Sequence, residues 1–251
     1  MSLDFTLNKY KELCEVISQN YTPITVEEYL GERPEGHIVI LRHDVDRRPE
    51  TALRMAEVEK EFGIRSTYYF RMRNGVFVPD IIRKIADLGH EIGYHYETLD
   101  KAKGDFAKAI EIFQRELEDF RRIYDVKTIC MHGNPLTPWV NRDIWSEYDF
   151  TEFGIIGEPY ISIDYSKVYY FTDTGRKWNS SFSVKDAVGS QNSVKVKSTD
   201  ELIVLLENKK FERLCILTHP NRWSDSFTEW IAEFVWQNTK NIVKILIKKR
   251  R

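Results

Sequence analysis

Four clusters of polar residues stand at the ends of predicted strands in this chain. Each contains carboxylates or imidazoles, side chains that transfer protons or bind metal ions near neutral pH. In parallel α/β folds the carboxyl ends of the strands converge on one site, so the clusters are expected to lie together. They are Arg42-His43-Asp44-Val45-Asp46, Gly93-Tyr94-His95-Tyr96-Glu97, His132-Gly133-Asn134-Pro135 and Thr218-His219-Pro220-Asn221-Arg222-Trp223.

The first cluster places two carboxylates on one face of the chain. Asp44 and Asp46 are two positions apart, so in an extended segment both point the same way and His43 points to the opposite face as a structural residue. Two adjacent carboxylates are costly unless a cation or a shared proton relieves them. A divalent metal bound to one would leave the other free as a base. The alternative is that either aspartate caps the helix beginning near Pro49 or pairs with Arg47 or Arg48.

The second cluster contains two histidines with different expected roles. His90 and His95 are five positions apart, so a continuous strand places them on opposite faces. His95, at the carboxyl end, is the candidate ligand. His90 follows Gly89 at the start of the strand, and we interpret it as a packed, hydrogen-bonded residue.

The elements that must position these clusters alternate along the chain. Short β-branched or aromatic runs predict strands, and periodic apolar spacing with Gly or Pro at the ends predicts helices. Such alternation predicts a mainly parallel sheet in an α/β fold. The predicted strands are 37–41, 66–70, 91–95, 127–131, 167–171 and 213–218, and the predicted helices are 4–19, 51–62, 79–88, 106–124, 199–208 and 227–248.

The 251 residues fit one domain, with an N-terminal helical extension over about residues 1–35. Residues 132–165 and 172–198 read as long irregular insertions, a type of segment that is usually functional. Hydrophobic residues make up 42% and charged residues 30% of the chain, and the net charge of −2 does not favour nucleic acid as a partner. Three widely spaced cysteines, no signal sequence and no long apolar segment predict a cytoplasmic protein without a membrane span.

Several of these segments resemble the polysaccharide deacetylase (NodB-homology, carbohydrate esterase family 4) proteins. The resemblance covers most of the chain, in the family's order, and its most specific part is the third segment. Its segments are the aspartate-rich end of the first strand, Phe62-Gly63-Ile64-Arg65-Ser66-Thr67-Tyr68-Tyr69-Phe70, Leu88-Gly89-His90-Glu91-Ile92-Gly93-Tyr94-His95 and Ile216-Leu217-Thr218-His219-Pro220.

The resemblance implies a distorted (β/α)7-type barrel, NodB-like, with mainly parallel strands. It also implies a metal-dependent hydrolase that removes an N-acyl group, typically N-acetyl, from an amino sugar or glycan precursor with a metal-activated water. By the same resemblance Asp44 is the base, Asp46 and His95 are metal ligands, and His219 is the general acid toward the leaving amine. The cofactor it implies is one divalent ion, with zinc favoured over cobalt, manganese or nickel.

The chain departs from the family pattern at Leu99, where a second metal histidine is expected. Glu97, His132 or a water would then complete the coordination, and zinc accepts such mixed ligands. The alternative is a carbohydrate-binding relative that kept the barrel and binds metal weakly or not at all. The chain lacks the HxE…CxxC signature of deaminases and the GxSxG elbow of serine hydrolases, which ranks those classes lower.

Substrate contacts are predicted from residue type and from position in the irregular segments. Aromatic rings offer a flat apolar surface for a sugar, although each of these tryptophans is also a candidate for the core. Polar side chains near them would hold or orient the substrate. The predicted contacts are Tyr96, Trp178 and Trp223 for stacking and Asn134, Asp173 and Arg176 for polar contact.

Overall fold

A computed structural model describes residues 3–178 and 196–248. Its strands are β1 (Thr22–Ile24), β2 (Ile38–Val45), β3 (Thr67–Phe70), β4 (Glu91–Tyr96), β5 (Ile129–Met131), β6 (Tyr169–Thr172) and β7 (Arg213–Thr218). Its α-helices are α1 (Leu7–Asn20), α2 (Val26–Glu32), α3 (Pro49–Glu61), α4 (Pro79–Asp87), α5 (Thr98–Lys101), α6 (Phe106–Arg121), α7 (Pro159–Ser162), α8 (Thr199–Glu207) and α9 (Phe227–Lys248). The predicted alternation of strands and helices is confirmed.

All the strands belong to one curled, parallel sheet with helices packed against it. The order is β5-β4-β3-β2-β7-β6, and β1 pairs with β2 beside this path. Within the described residues no ladder joins β5 to β6, so the sheet is an open half-barrel. The observed fold is therefore mixed α/β with parallel strands, which is compatible with a distorted barrel.

Strand β2 is the centre of the sheet. All eight of its residues are buried, including Arg42, His43 and Asp44 near its carboxyl end. Its first half, Ile38–Leu41, is apolar, as expected of a parallel strand covered on both faces. β7 pairs along one edge of β2 from Ile38 to His43, and β3 pairs along the other edge from Arg42 to Val45. The polar end of β2 is thus held on both sides.

The N-terminal segment contains a strand as well as the predicted helical extension. Thr22–Ile24 forms β1 and pairs with the start of β2, on the same edge that β3 occupies further along. A helix follows immediately because Thr25 and Glu28 form a capping box that satisfies the free backbone N–H groups. Residues 22–24 are therefore part of the sheet, and α1 packs against the same domain through buried residues such as Tyr10 and Leu13.

The residues before α1 fasten the loop that follows β7. Ser224 donates its backbone N–H to the carbonyl of Phe5, and Leu7 donates to the carbonyl of Ser224. The Asp4 carboxylate accepts from the backbone N–H of Thr199, a contact between residues 195 positions apart. The indole of Trp230 donates to the Asp4 carbonyl. We call these contacts the N-terminal clasp.

Two clusters of buried apolar residues cover the sheet. One packs around Tyr94, Phe113 and Phe120, and the other around Tyr10, Trp178 and Trp223. The segment 132–165 is less irregular than predicted, since it contains 3-10 turns at Asn141–Ser146 and Phe150–Phe153 as well as α7. Most of the second predicted insertion, residues 179–195, lies outside the described residues. Among the described helices, none combines the length and apolarity that crossing a membrane requires.

Candidate metal centre and active site

The carboxyl ends of β2, β4, β5 and β7 meet at one cavity of about 430 Å³. This volume lies within the usual range for small-molecule sites. The predicted convergence of the four polar clusters is confirmed, because each contributes at least one side chain to the lining. The cavity is lined by Asp44, Asp46, Arg47, Arg71, Arg73, His95, His132, Gly133, Asn134, Pro135, Leu136, Thr174, His219, Arg222, Trp236, Gln237 and Lys240.

Asp44 and Asp46 face the cavity together, as the alternation of the strand predicts. Asp44 is buried, and its Oδ2 lies 3.7 Å from the guanidinium of Arg42. Arg42 is itself held by the hydroxyl of Tyr160 at 2.7 Å and the sulfur of Cys130 at 3.1 Å. The Asp44 Oδ1 atom is buried without a hydrogen-bond partner among the described residues. Asp44 is thus oriented from one side and open on the other.

His43 points away from the cavity and is structural, as predicted. Its Nδ1 lies 2.6 Å from the hydroxyl of Thr218, and its Nε2 lies 2.8 Å from a carboxylate oxygen of Glu59. His90 also has its predicted packed role, because its Nε2 donates to the carbonyl of Ala56 at 3.1 Å and its Nδ1 accepts from the backbone of Ser66.

His95 presents one ring nitrogen to the two aspartates. Its Nδ1 donates to the carbonyl of Cys130 at 2.9 Å, which fixes the ring and leaves Nε2 with a free lone pair. That Nε2 lies 3.8 Å from Asp44 Oδ2 and 3.7 Å from Asp46 Oδ1. The backbone hydrogen bond and the free nitrogen are the arrangement of a metal-binding histidine.

His132 approaches the same oxygen from β5. Its Nε2 lies 3.4 Å from Asp46 Oδ1, and its ring is nearly perpendicular to that of His95, with centroids 5.3 Å apart. The other nitrogen, Nδ1, lies 3.5 Å from a carboxylate oxygen of Glu97. Glu97 is itself ion-paired with Arg71, and its second oxygen is 3.9 Å from Lys101.

The charges around Asp46 stabilise its ionised form. Burial alone would raise the pKa of its carboxyl, but His132, His219, His95 and Arg71 outweigh burial and hold that pKa well below its usual range. Burial lowers the pKa of His132 well below its ordinary value, and Arg71 adds to this against the opposing charge of Asp46. A metal ion binds the carboxylate form of an aspartate and the neutral form of a histidine.

Two groups of side chains have donor atoms close enough to share a metal ion: Asp44, His95 and Cys130, and Glu97, Asp100 and His132. In the first group, burial raises the pKa of the Cys130 thiol and so disfavours its thiolate. In the second, Asp100 already accepts from Trp139, Thr137 and Asn141.

Asp46 lies between the two groups, and its buried Oδ1 has no hydrogen-bond partner among the described residues. Two ligands of one tetrahedral zinc are roughly 3.4 Å apart. The 3.4 and 3.7 Å separations of Asp46 from His132 and His95 match that spacing. Asp46, with His95 and His132 beside its Oδ1, is therefore a further candidate ligand next to the two groups.

His219 reaches the cavity from the end of β7. Its Nδ1 lies 2.7 Å from Asp173 Oδ1, and its backbone N–H donates to Asp173 Oδ2 at 2.9 Å. Asp173 is fully buried and also contacts Arg222 and the indole of Trp223. Burial would raise the pKa of Asp173, but Arg222 and His219 lower it, so the carboxylate stays charged and fixes the imidazole.

Leu99 occupies the position where the family pattern expects a histidine. It is fully buried in α5 and belongs to the apolar cluster around Tyr94. Its side chain is a core residue, so nothing at this position faces the cavity.

Three predicted substrate contacts are wrong, because Tyr96, Trp178 and Trp223 are buried and do not line the cavity. Tyr96 follows His95 and therefore points to the other face of the sheet, where its hydroxyl meets Trp145. Trp178 donates to Thr199, and both tryptophans pack against Phe5.

The polar predictions have mixed outcomes. Asn134 lines the cavity, as predicted for a substrate contact. Asp173 acts through His219 and does not line the cavity. Arg176 is also absent from the lining, since its guanidinium lies 4.8 Å from the ring of Trp230 and 5.2 Å from that of Phe5. Asp173 and Arg176 were predicted to contact the substrate or to support residues that do, and Asp173 has the supporting position behind His219.

Sequence reasoning missed Arg71, Arg73, Trp236, Gln237 and Lys240, which all line the cavity. Arg71 and Arg73 follow β3 directly, so the rule that strand ends converge would have found them. The other three stand on α9, and no local signal shows that this helix borders the cavity.

The fold and the cavity define an α/β protein with a candidate metal centre at the carboxyl edge of a parallel sheet. No protein-family model matches the chain, and a search of curated proteins finds no match. The resemblance to the polysaccharide deacetylases stays a prediction.

Proposed function

We propose that the protein is a metal-dependent hydrolase that removes an N-acyl group, typically N-acetyl, from an amino sugar or glycan precursor. The observation that carries the proposal is the buried, unpartnered Oδ1 of Asp46 between the Nε2 atoms of His95 and His132. The proposal includes the fold, in which the open half-barrel is a distorted (β/α)7 barrel.

Asp46, His95 and His132 would hold the cation, with Glu97 orienting His132 from behind. Zinc suits this mixture of imidazole and carboxylate, and cobalt, manganese or nickel would also fit. When bound, such an ion polarises the amide carbonyl and lowers the pKa of water.

Asp44 would take the proton from the attacking water. It faces the cavity, its Oδ2 lies beside Arg42, and its Oδ1 is free to accept. His219 would deliver a proton to the departing amine from Nε2, while Asp173 holds the ring in place. The two groups therefore divide the roles of base and acid.

Trp236 replaces the predicted stacking residues as the aromatic contact for the sugar. Its side chain is 50% exposed and lines the cavity on α9, with Leu136 at 74% exposure also in the lining. An exposed indole at the mouth of a polar cavity offers the flat surface that a sugar ring packs against.

The test combines metal analysis with a turnover assay on N-acetylated amino sugars. The purified protein is expected to bind about one zinc or cobalt ion and to release acetate. The variant His95→Ala should lose both metal and turnover. His90→Ala is the matched control, because this buried histidine precedes β4, contacts the carbonyl of Ala56 in the core and does not line the cavity, so the metal content should be unchanged. Unchanged metal content in His95→Ala would contradict the proposal.

A second candidate is a carbohydrate-binding protein without a metal, and Arg71 is the observation that favours it. Its guanidinium lies 3.9 Å from Asp46 Oδ1 and so provides an internal cation at the site. Under this candidate Asp46→Asn would leave sugar binding intact, and neither metal nor acetate release would be detected in the wild-type protein.

A further inference from the structure

The mouth of the cavity is rich in positive charge. Five basic side chains line it, and they come from the loop after β2, the loop after β3, the loop after β7 and α9. The acidic residues in the same lining are Asp44 and Asp46, the two carboxylates already assigned to the floor. The basic residues are Arg47, Arg71, Arg73, Arg222 and Lys240.

Three of these cations are neutralised by carboxylates of the protein. Each ion pair holds a side chain in the wall and leaves little free charge for a ligand. Arg71 pairs with Glu97, Arg222 pairs with Asp173, and Arg47 pairs with Glu233 at 3.0 Å.

Arg73 and Lys240 are different, because no carboxylate of the described residues lies within 4.0 Å of either. Arg73 is exposed on the loop after β3. Lys240 is half-buried, with its ammonium 5.0 Å from the centre of the Trp236 ring. Burial lowers the pKa of Lys240, and Arg47 and Arg222 lower it further against the opposing charges of Asp46 and Glu233. A half-buried ammonium beside other cations is stabilised most by an incoming anion.

We propose that the cavity takes an anionic substrate: an N-acylated sugar that carries a phosphoryl or carboxylate group, which Arg73 and Lys240 bind. The inference rests on the proposed function for the sugar itself and adds the charged group. Arginine and lysine both bind phosphate oxygens through charge-assisted hydrogen bonds, which are the stronger kind.

The arrangement separates the two ends of such a substrate. The acyl group would meet Asp44 and His219 at the floor, and the sugar ring would pack on Trp236. The anionic group would then lie between Lys240, which stands one helical turn from Trp236, and Arg73 on the facing loop. A neutral sugar offers these two cations hydroxyl acceptors but no opposite charge.

The test measures binding of three ligands to the full-length Asp44→Asn protein by calorimetry: N-acetylglucosamine, its 1-phosphate and its uronic acid. The phosphate is expected to bind at least about tenfold more tightly than the neutral sugar. Arg73→Ala and Lys240→Ala should each remove about tenfold of this preference, and Arg73→Lys should restore part of it. Arg122→Ala is the matched control, since this arginine is 75% exposed on α6 and does not line the cavity.

The outcomes separate this inference from the proposed function. Preference for the phosphate or for the uronic acid, lost in Arg73→Ala and Lys240→Ala, supports the inference and identifies which anion is bound. If that preference is observed but the wild-type protein releases no acetate, the anion site is supported and the deacetylase proposal is contradicted. Equal binding of all three ligands, together with turnover of the neutral sugar, overturns the anion site and keeps the deacetylase.

Discussion

Two clusters in this molecule share one composition, a carboxylate between two histidines, and they differ in every contact. Glu59 stands between His43 and His90 under the sheet, and Asp46 stands between His95 and His132 at its carboxyl edge. We call them the closed cluster and the open cluster.

In the closed cluster the polar atoms lie against protein groups, and the one that makes no hydrogen bond, Nε2 of His43, is 2.8 Å from a Glu59 oxygen. The Glu59 oxygens accept from the hydroxyls of Tyr10, Ser66 and Tyr68, the last two at 2.6 and 2.9 Å. Both nitrogens of His43 and both nitrogens of His90 lie near groups of the core. Such a network is satisfied and rigid, and it leaves no room for a ligand.

In the open cluster most of these partners are missing among the described residues. Only Nδ1 of His95 makes a hydrogen bond to the protein, and the other contacts span 3.4 to 3.9 Å. Such distances are too long for hydrogen bonds but suit side chains that could share an ion. Composition alone therefore does not distinguish the two clusters, and the distances between their polar atoms do.

The largest expected effect is on turnover, in Asp44→Asn. The amide keeps the shape of the side chain and cannot accept the proton from water, so turnover should fall by about 10²- to 10⁴-fold. Thermal unfolding and metal content, measured by calorimetry and mass spectrometry, should match the wild type. Turnover at the wild-type rate would show that Asp44 is not the base.

The next largest expected effect is on stability, in a variant that disrupts the closed cluster. Glu59→Ala leaves His43 and three hydroxyls without their shared acceptor, so unfolding in guanidinium chloride should require about 3–5 kcal/mol less free energy. Metal content should be unchanged. Asp46→Asn is the matched opposite: it should lose the metal, and in the absence of metal its stability should equal that of the wild type. Equal loss of stability in both variants would contradict the distinction between the clusters.

A smaller effect concerns pH. Burial opposes ionisation of Glu59, but His43 and His90 outweigh burial and lower its pKa from 4.5 to about 2. A carboxyl whose folded pKa is depressed stabilises the fold above its unfolded pKa and loses that contribution as pH falls toward the folded value. Stability should therefore drop by about 3 kcal/mol between pH 4.5 and 2.

Glu59→Gln provides the control for this pH dependence, because an amide does not titrate. Its unfolding free energy, measured by guanidinium titration at each pH, should lack the drop. A parallel decline in both proteins would assign the acid sensitivity to other groups.

The smallest expected effect concerns Leu99, where the family pattern has a second metal-binding histidine. Leu99→His should not tighten metal binding, because this side chain packs in the core. It should instead cost about 1–3 kcal/mol of stability for burying a polar ring. Leu99→Met is the matched control and should cost less than about 1.5 kcal/mol. Tighter zinc binding by Leu99→His, measured by competition with a chelator, would show that the position reaches the site.

Much of the site could be predicted because local sequence patterns indicate where a strand ends and which face each of its side chains occupies. Asp44, Asp46 and His95 face the cavity by that rule. The same rule, applied to Tyr96, would have placed it in the core. The tryptophans failed for a different reason: Trp178 and Trp223 are covered by Phe5, a contact that no local pattern encodes.

The fold was predictable to a similar degree. The strands from β2 to β7 carry strong apolar patterns, but β1 has three residues, one of them proline, and gives no such signal. Trp236 and Lys240 reach the cavity because α9 passes its mouth, and the course of that helix depends on tertiary packing.

The N-terminal clasp has a consequence for the order in which the molecule is built. Residues 4–7 leave the ribosome early, yet their partners Thr199 and Ser224 are synthesised close to two hundred residues later. Contacts of such high sequence separation form late in folding. The clasp can therefore close only after β7 and the loop that carries His219 have been synthesised. A synthetic peptide of residues 1–20, added to a chain that lacks them, should restore the contacts of the N-terminal clasp.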